Sequence, residues 1–240
     1  MKIALFIPCY VDLFYPQVGM SVVKLFERLG LEFSVPEAQS CCGQPLLYGG
    51  HEAQAKAQFS RHHEAFRGFD YVVTPSGSCA STLREHPDLA SSETKTMELC
   101  EFLHDVVKPK ELEANLAQKV ALHRSCRGIR CLKLGGATEL LSKAPCKASH
   151  VLGLVKGLEL VDLPRKSDEC CGFGGAFSVG EPKVSTAMGL DRLELFLEAG
   201  AETVTATDMG CLAHLQGIID KRGFPLRTKH LAELLAENLA

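Results

Sequence analysis

Short apolar runs separated by stretches with helix-spaced apolar residues organise this chain. Residues 3–8 form an apolar run ending in proline, which predicts a short buried strand. Val18, Val22, Leu25, Phe26 and Leu29 follow at helical spacing, and Gly30 predicts the stop. Residues 32–35 predict a second short strand. Residues 51–66 predict a helix with Ala55, Phe59, His62 and Phe66 on one stripe, and residues 71–74 a β-branched strand.

The succession then recurs. Residues 120–123, 158–163 and 203–206 predict strands, and 182–199, 209–221 and 230–239 predict helices. Lys2-Ile3-Ala4-Leu5 leads to Cys9 as Lys119-Val120-Ala121-Leu122 leads to Cys126. Val35-Pro36 and Leu163-Pro164 each precede an adjacent pair of cysteines. Alternating apolar strands and helices predict an α/β fold with parallel pairing. The expected architecture is two pseudo-repeated α/β units with short parallel sheets, residues 1–117 and 118–240.

Composition narrows the class. Hydrophobic residues make up 46% of the 240 positions, enough for a real core. The net charge is -3 and Lys and Arg are scattered, so neither nucleic acid nor an anionic membrane is an expected partner. No apolar run reaches the ~18 residues of a membrane span. Residues 3–11 have the length of an export signal, but the segment recurs in mid-chain and reads as a structural element. The expected location is cytoplasmic, where thiols stay reduced and favour metal or redox chemistry over disulfides.

The cysteines carry the chemistry. Eight of the eleven form two matched sets: Cys9, Cys41, Cys42 and Cys79, then Cys126, Cys170, Cys171 and Cys211. Each set is centred on Cys-Cys-Gly. The predicted strands put Cys9, Cys79, Cys126 and Cys211 just past C-terminal strand ends, the edge where open α/β sheets bind ligands. Zinc knuckles space their cysteines as C-x2-4-C, which neither set does, and vicinal cysteines suit a cluster of several irons better than one tetrahedral ion. Gly43, Gly172, Gly174 and Gly175 free the backbone to approach such a group with its amides. Structural zinc in one unit is the rival, and a redox-active vicinal disulfide is a weaker one because it is strained. Cys100, Cys131 and Cys146 lack counterparts and read as inert core thiols. His123 and His214 lie three residues from Cys126 and Cys211; the ordinary reading of each is a core or surface histidine. Gly172-x-Gly174 lacks a third glycine, Phe177 standing there, so no dinucleotide loop is expected.

These motifs resemble the duplicated CCG cysteine-rich domain found in heterodisulfide reductase and in the iron–sulfur subunits of glycolate oxidase and glycerol-3-phosphate dehydrogenase. Pro75-Ser76-Gly77-Ser78-Cys79, His123-Arg124-Ser125-Cys126 and Cys170-Cys171-Gly172-Phe173-Gly174-Gly175 are most similar to the branch concerned with lactate utilisation. The resemblance covers the whole chain. It implies an iron–sulfur electron-transfer subunit of an L-lactate-oxidising complex, with other iron–sulfur or redox subunits as partners and a quinone or other carrier as acceptor. It implies a [4Fe–4S] cluster on one or both quartets, and it also permits zinc in one unit, as a structural or assembly module. The family motif closes in C-x-x-C, whose first position here is Ser76 in one unit and Asp208 in the other. Four cysteines per site remain, with Ser76 or Asp208 open as an oxygen ligand, or one iron left open.

Overall fold

The computed structural model describes residues 1–86, 94–142, 144–163 and 167–237. Pro164 and the end of the helix expected at 230–239 lie outside them.

The first half runs β1 (Ile3–Leu5), α1 (Cys9–Phe14), α2 (Pro16–Arg28), β2 (Phe33–Ser34), α3 (Gln44–Tyr48), α4 (Glu52–Ala65), β3 (Tyr71–Thr74), α5 (Gly77–Glu85), β4 (Lys95–Glu98) and α6 (Leu99–Phe102). The second runs β5 (Asn115–Leu122), α7 (Lys147–Leu152), β6 (Lys156–Leu160), α8 (Ala176–Gly180), α9 (Pro182–Glu198), β7 (Thr203–Ala206), α10 (Met209–Arg222), β8 (Arg227–His230) and α11 (Leu231–Leu235), with a π-helical turn at Arg127–Cys131. The two sheets are four-stranded and wholly parallel, and their orders match: β2-β1-β3-β4 and β6-β5-β7-β8. The α/β architecture and its repetition are therefore features of the molecule.

The reason lies in the strands. Ile3, Ala4 and Leu5 of β1 are all buried, as are all four residues of β7. A short run buried on both faces needs helices on both sides, which a parallel sheet with crossover helices supplies. β4 (KTME) and β8 (RTKH) were not expected from the sequence. Both are edge strands with partly exposed polar positions, so neither carries an apolar run. β5 begins at Asn115, so the expected division after residue 117 falls within this strand.

One hydrophobic core crosses between the halves, taking Ile3, Leu5, Val22 and Phe26 from the first and Val120, Leu193, Leu212 and Leu231 from the second. A smaller cluster belongs to the first half alone: Ala4, Phe6, Phe59, Phe66, Val72 and Leu83, together with Cys42 and Cys79.

Candidate metal centres

The strand ends deliver the thiols. Cys9 opens α1 just past β1, and Cys79 lies in the first turn of α5 just past β3. Cys126 follows β5 at the start of the π-helical turn, and Cys211 lies in the first turn of α10 after β7. Each vicinal pair comes from a loop ending in a glycine that no other residue replaces freely. Gly43 has φ +81°, and a Cβ there would sit 3.0 Å from the Phe59 ring. Gly172 has φ +90°, and a Cβ would lie 2.5 Å from the Ser185 carbonyl oxygen. Gly174 and Gly175 also take positive φ.

In each half the four thiols join into one chain of sulfur contacts, Cys9–Cys41–Cys42–Cys79 and Cys126–Cys170–Cys171–Cys211. The order is the same in both. Cys42 and Cys171 are buried. The neighbouring thiols of Cys42 and Cys9 hold the Cys41 thiol down at about 2, and the Gly43 amide assists. Cys170 is likewise held at about 2 by Cys126 and Cys171, helped by the Gly172 N–H at 3.4 Å. The thiols of Cys9, Cys42, Cys126 and Cys171 are pushed upward, first by the neighbouring thiols and then by burial. The Gln44 amide points at Cys42 and the Phe173 amide at Cys171. Each quartet thus offers clustered soft donors, one of them readily ionised, in a cradle of backbone N–H groups, a donor set that fits a thiophilic metal or an iron–sulfur cluster.

Ser76 and Asp208 meet each other across the halves. Ser76 Oγ caps α5 by accepting from the Cys79 amide at 3.2 Å and donates to Asp208 Oδ1 at 3.0 Å. Ser78 donates its hydroxyl to the same oxygen at 2.7 Å and its backbone N–H to both carboxylate oxygens. Burial pushes the Asp208 carboxyl up, and these donors oppose that shift. Its charge also bears on Cys126. A continuous polar bridge therefore links Cys79 of one quartet to the neighbourhood of Cys126 in the other. The two ends of this bridge are the positions where the resemblance leads cysteine to be expected.

His123 is the residue that sequence reasoning undervalued. It is 1% exposed, and neither ring nitrogen has a hydrogen-bond partner. One of its ring nitrogens and the Sγ atoms of Cys171 and Cys211 all lie within 4.8 Å of one another. Among the described residues, no other three His, Cys, Asp or Glu ligand atoms converge so closely. Burial, then the charge of Arg192, lowers His123 to about 3 and keeps it neutral. The available signal was its place in the repeat, where the first unit has Phe6. His214 instead faces the Ser185 carbonyl at 3.3 Å. Cys100 is fully buried in the shared core, and Cys131 faces Arg127 at 3.4 Å. Among the described residues no helix is long and apolar enough to cross a membrane.

Two thiol quartets on twin parallel sheets define a duplicated cysteine-rich α/β protein. The model of the CCG cysteine-rich domain matches residues 3–84 and 120–216, and the chain belongs to that family. Its relatives include proteins named lactate utilization protein A. That of Geobacillus kaustophilus is 41% identical, with 98% of each chain covered. That of Bacillus subtilis is 38% identical over 98% of this chain and 99% of the relative. A solved putative Asp/Glu racemase from Yersinia pestis shares 10% identity over 100% of this chain and 97% of that one, with a TM-score of 0.41, too weak to carry an argument.

Proposed function

We propose that this chain acts in lactate utilisation as a cytoplasmic electron-transfer subunit, with the eight matched cysteines as ligands of iron–sulfur clusters of the [4Fe–4S] type. The observation that carries the reading is the pair of contiguous thiol quartets in equivalent places on two parallel sheets. Similarity to relatives named for lactate utilisation supplies the substrate class.

A bound cluster supplies one-electron chemistry. The residues around it set the terms. Cys41 and Cys170 enter as thiolates, and the amides that follow them offset negative charge on sulfur. The Ser76–Asp208 bridge joins the elements that carry Cys79 and Cys211, which supports a relay between two centres. Oxidising L-lactate to pyruvate removes two electrons and calls for an acceptor such as a flavin or nicotinamide, whereas a cluster passes single electrons, so on this reading the step falls to a partner subunit. The partners are other redox or iron–sulfur subunits, and the acceptor is a quinone or another carrier.

A second reading has its own observation. The convergence of His123, Cys171 and Cys211 favours a zinc-bearing module in the second unit. Anaerobic purification followed by iron, sulfide and zinc analysis and a visible spectrum separates the two. Iron and sulfide near four per filled site, with broad brown absorbance, is expected. A colourless protein with zinc in both units, or with no iron, sinks the electron-transfer reading.

A further inference from the structure

We propose that His123 is a nitrogen ligand of the second centre, binding the same ion as Cys171 and Cys211. The two halves have matching sheets and matching thiols, yet the second carries a histidine where the first carries a phenylalanine. His123 and Phe6 are counterparts, each three residues before the first cysteine of its quartet. Both are anchored alike: Phe6 N–H donates to the Val73 carbonyl at 2.9 Å and His123 N–H to the Thr205 carbonyl at 2.7 Å.

Their surroundings separate them. Phe6 packs edge-on against His62, with centroids 4.9 Å apart, and against Phe66 at 5.6 Å. That is an apolar role, and it shows that the fold accepts a hydrocarbon ring at this site. Among the described residues the ring neighbour of His123 is Phe196, with centroids 6.3 Å apart. An imidazole buried to 1% with two unsatisfied nitrogens is costly to keep without a partner. The thiols of Cys171 and Cys211 lie beside it. With metal–nitrogen bonds of about 2.0–2.1 Å and metal–sulfur bonds of about 2.3 Å, donors on one tetrahedral ion stand within about 4 Å of each other. The observed limit of 4.8 Å leaves only small side-chain adjustments. Cys170 is in contact with Cys171 but lies outside the converging three.

The ligand class is a single borderline divalent ion that accepts both imidazole and thiolate, zinc or a lone iron, because an iron of a [4Fe–4S] cluster keeps one terminal position and could not take all three donors. The inference rests on the reading of the second quartet as a metal site, and it does not depend on electron transfer.

The test uses the full chain purified anaerobically, carrying Cys41→Ser and Cys42→Ser so that the retained metal belongs to the second unit. One sample is grown with 15N-histidine. If the metal is a single iron, pulsed EPR of the oxidised protein should show a nitrogen coupling that changes with the isotope. If it is zinc, X-ray absorption should show one imidazole nitrogen in a sulfur shell. His123→Phe, the residue that the first unit carries, should abolish the nitrogen signal and speed metal loss to a chelator at least tenfold. The labelled histidine reads the ligand directly, so the test stands even if that variant folds poorly. An all-sulfur shell, an isotope-insensitive spectrum, or no metal in the second unit overturns the proposal. Zinc with a nitrogen ligand and no iron in the unsubstituted protein would refute electron transfer and leave His123 in place. Iron with sulfur ligands alone does the reverse.

Discussion

The two halves share strand order, thiol order and the ionised first cysteine of each vicinal pair, but they bury their sites differently. Cys42 and Cys79 sit in a small apolar cluster private to the first half, walled by Phe6 and Phe59. Cys171 and Cys211 pack with the core that both halves share. Beside them stands His123, where the first site has a phenylalanine. A duplicated scaffold can keep its sulfur geometry because strand ends and glycine turns set it. The walls are free to differ because packing tolerates many shapes of similar volume.

The largest effects should test whether the sites are independent. Cys42→Ser is expected to empty the first site and Cys171→Ser the second, each removing that site's share of bound metal. Cys146→Ser should remove none. Metal analysis reads all three, and equal loss with Cys146→Ser would break the quartet assignment.

Stability comes next. Gly172→Ala forces a Cβ onto the Ser185 carbonyl oxygen at a positive φ and should cost about 3 kcal/mol in denaturant unfolding. Gly43→Ala meets only the edge of the Phe59 ring and should cost roughly half as much. Costs in the opposite order would mean that the first loop is the stiffer one.

The bridge between the halves gives a third measure. Asp208→Ala removes the acceptor of Ser76 and Ser78 and should cost about 2–3 kcal/mol. Its sharper signature is that metal retention at the first site falls as well, although the residue belongs to the second half. Retention changed at the second site alone would show the halves to be uncoupled.

The smallest effect concerns acid. Burial, then repulsion from His63, lowers His62 of the first half to about 4, and burial lowers His230 of the second to about 4. A depressed histidine pKa means that the folded state binds fewer protons than the unfolded chain. The stabilisation is therefore complete above about 6.5 and is lost as pH falls toward 4. Each histidine should cost about 2 kcal/mol at pH 5 relative to pH 7. His62→Phe should make the reduced, metal-free protein less sensitive to acid by about 2 kcal/mol between pH 7 and pH 5, read from denaturant unfolding at the two pH values.

Much of this was legible in the residues. Buried strands such as β3 and β7, and helices with one apolar stripe such as α2, announce themselves because local burial imposes a local period. β4 and β8 were missed, since a polar edge strand owes its conformation to its neighbour. Helix α5 was missed too, although Ser76 at its cap is an ordinary start signal.

The sequence alone determined the duplication, the α/β class and the two thiol quartets, because these follow from repeated spacing and local burial. The tertiary structure decided what the missing cysteines became and which histidine mattered. Ser76 and Asp208 stand 132 positions apart, and His123 is 48 residues from Cys171 and 88 from Cys211. Contacts across such separations leave no period in the chain and arise only when strand ends from distant segments meet at one edge of a sheet.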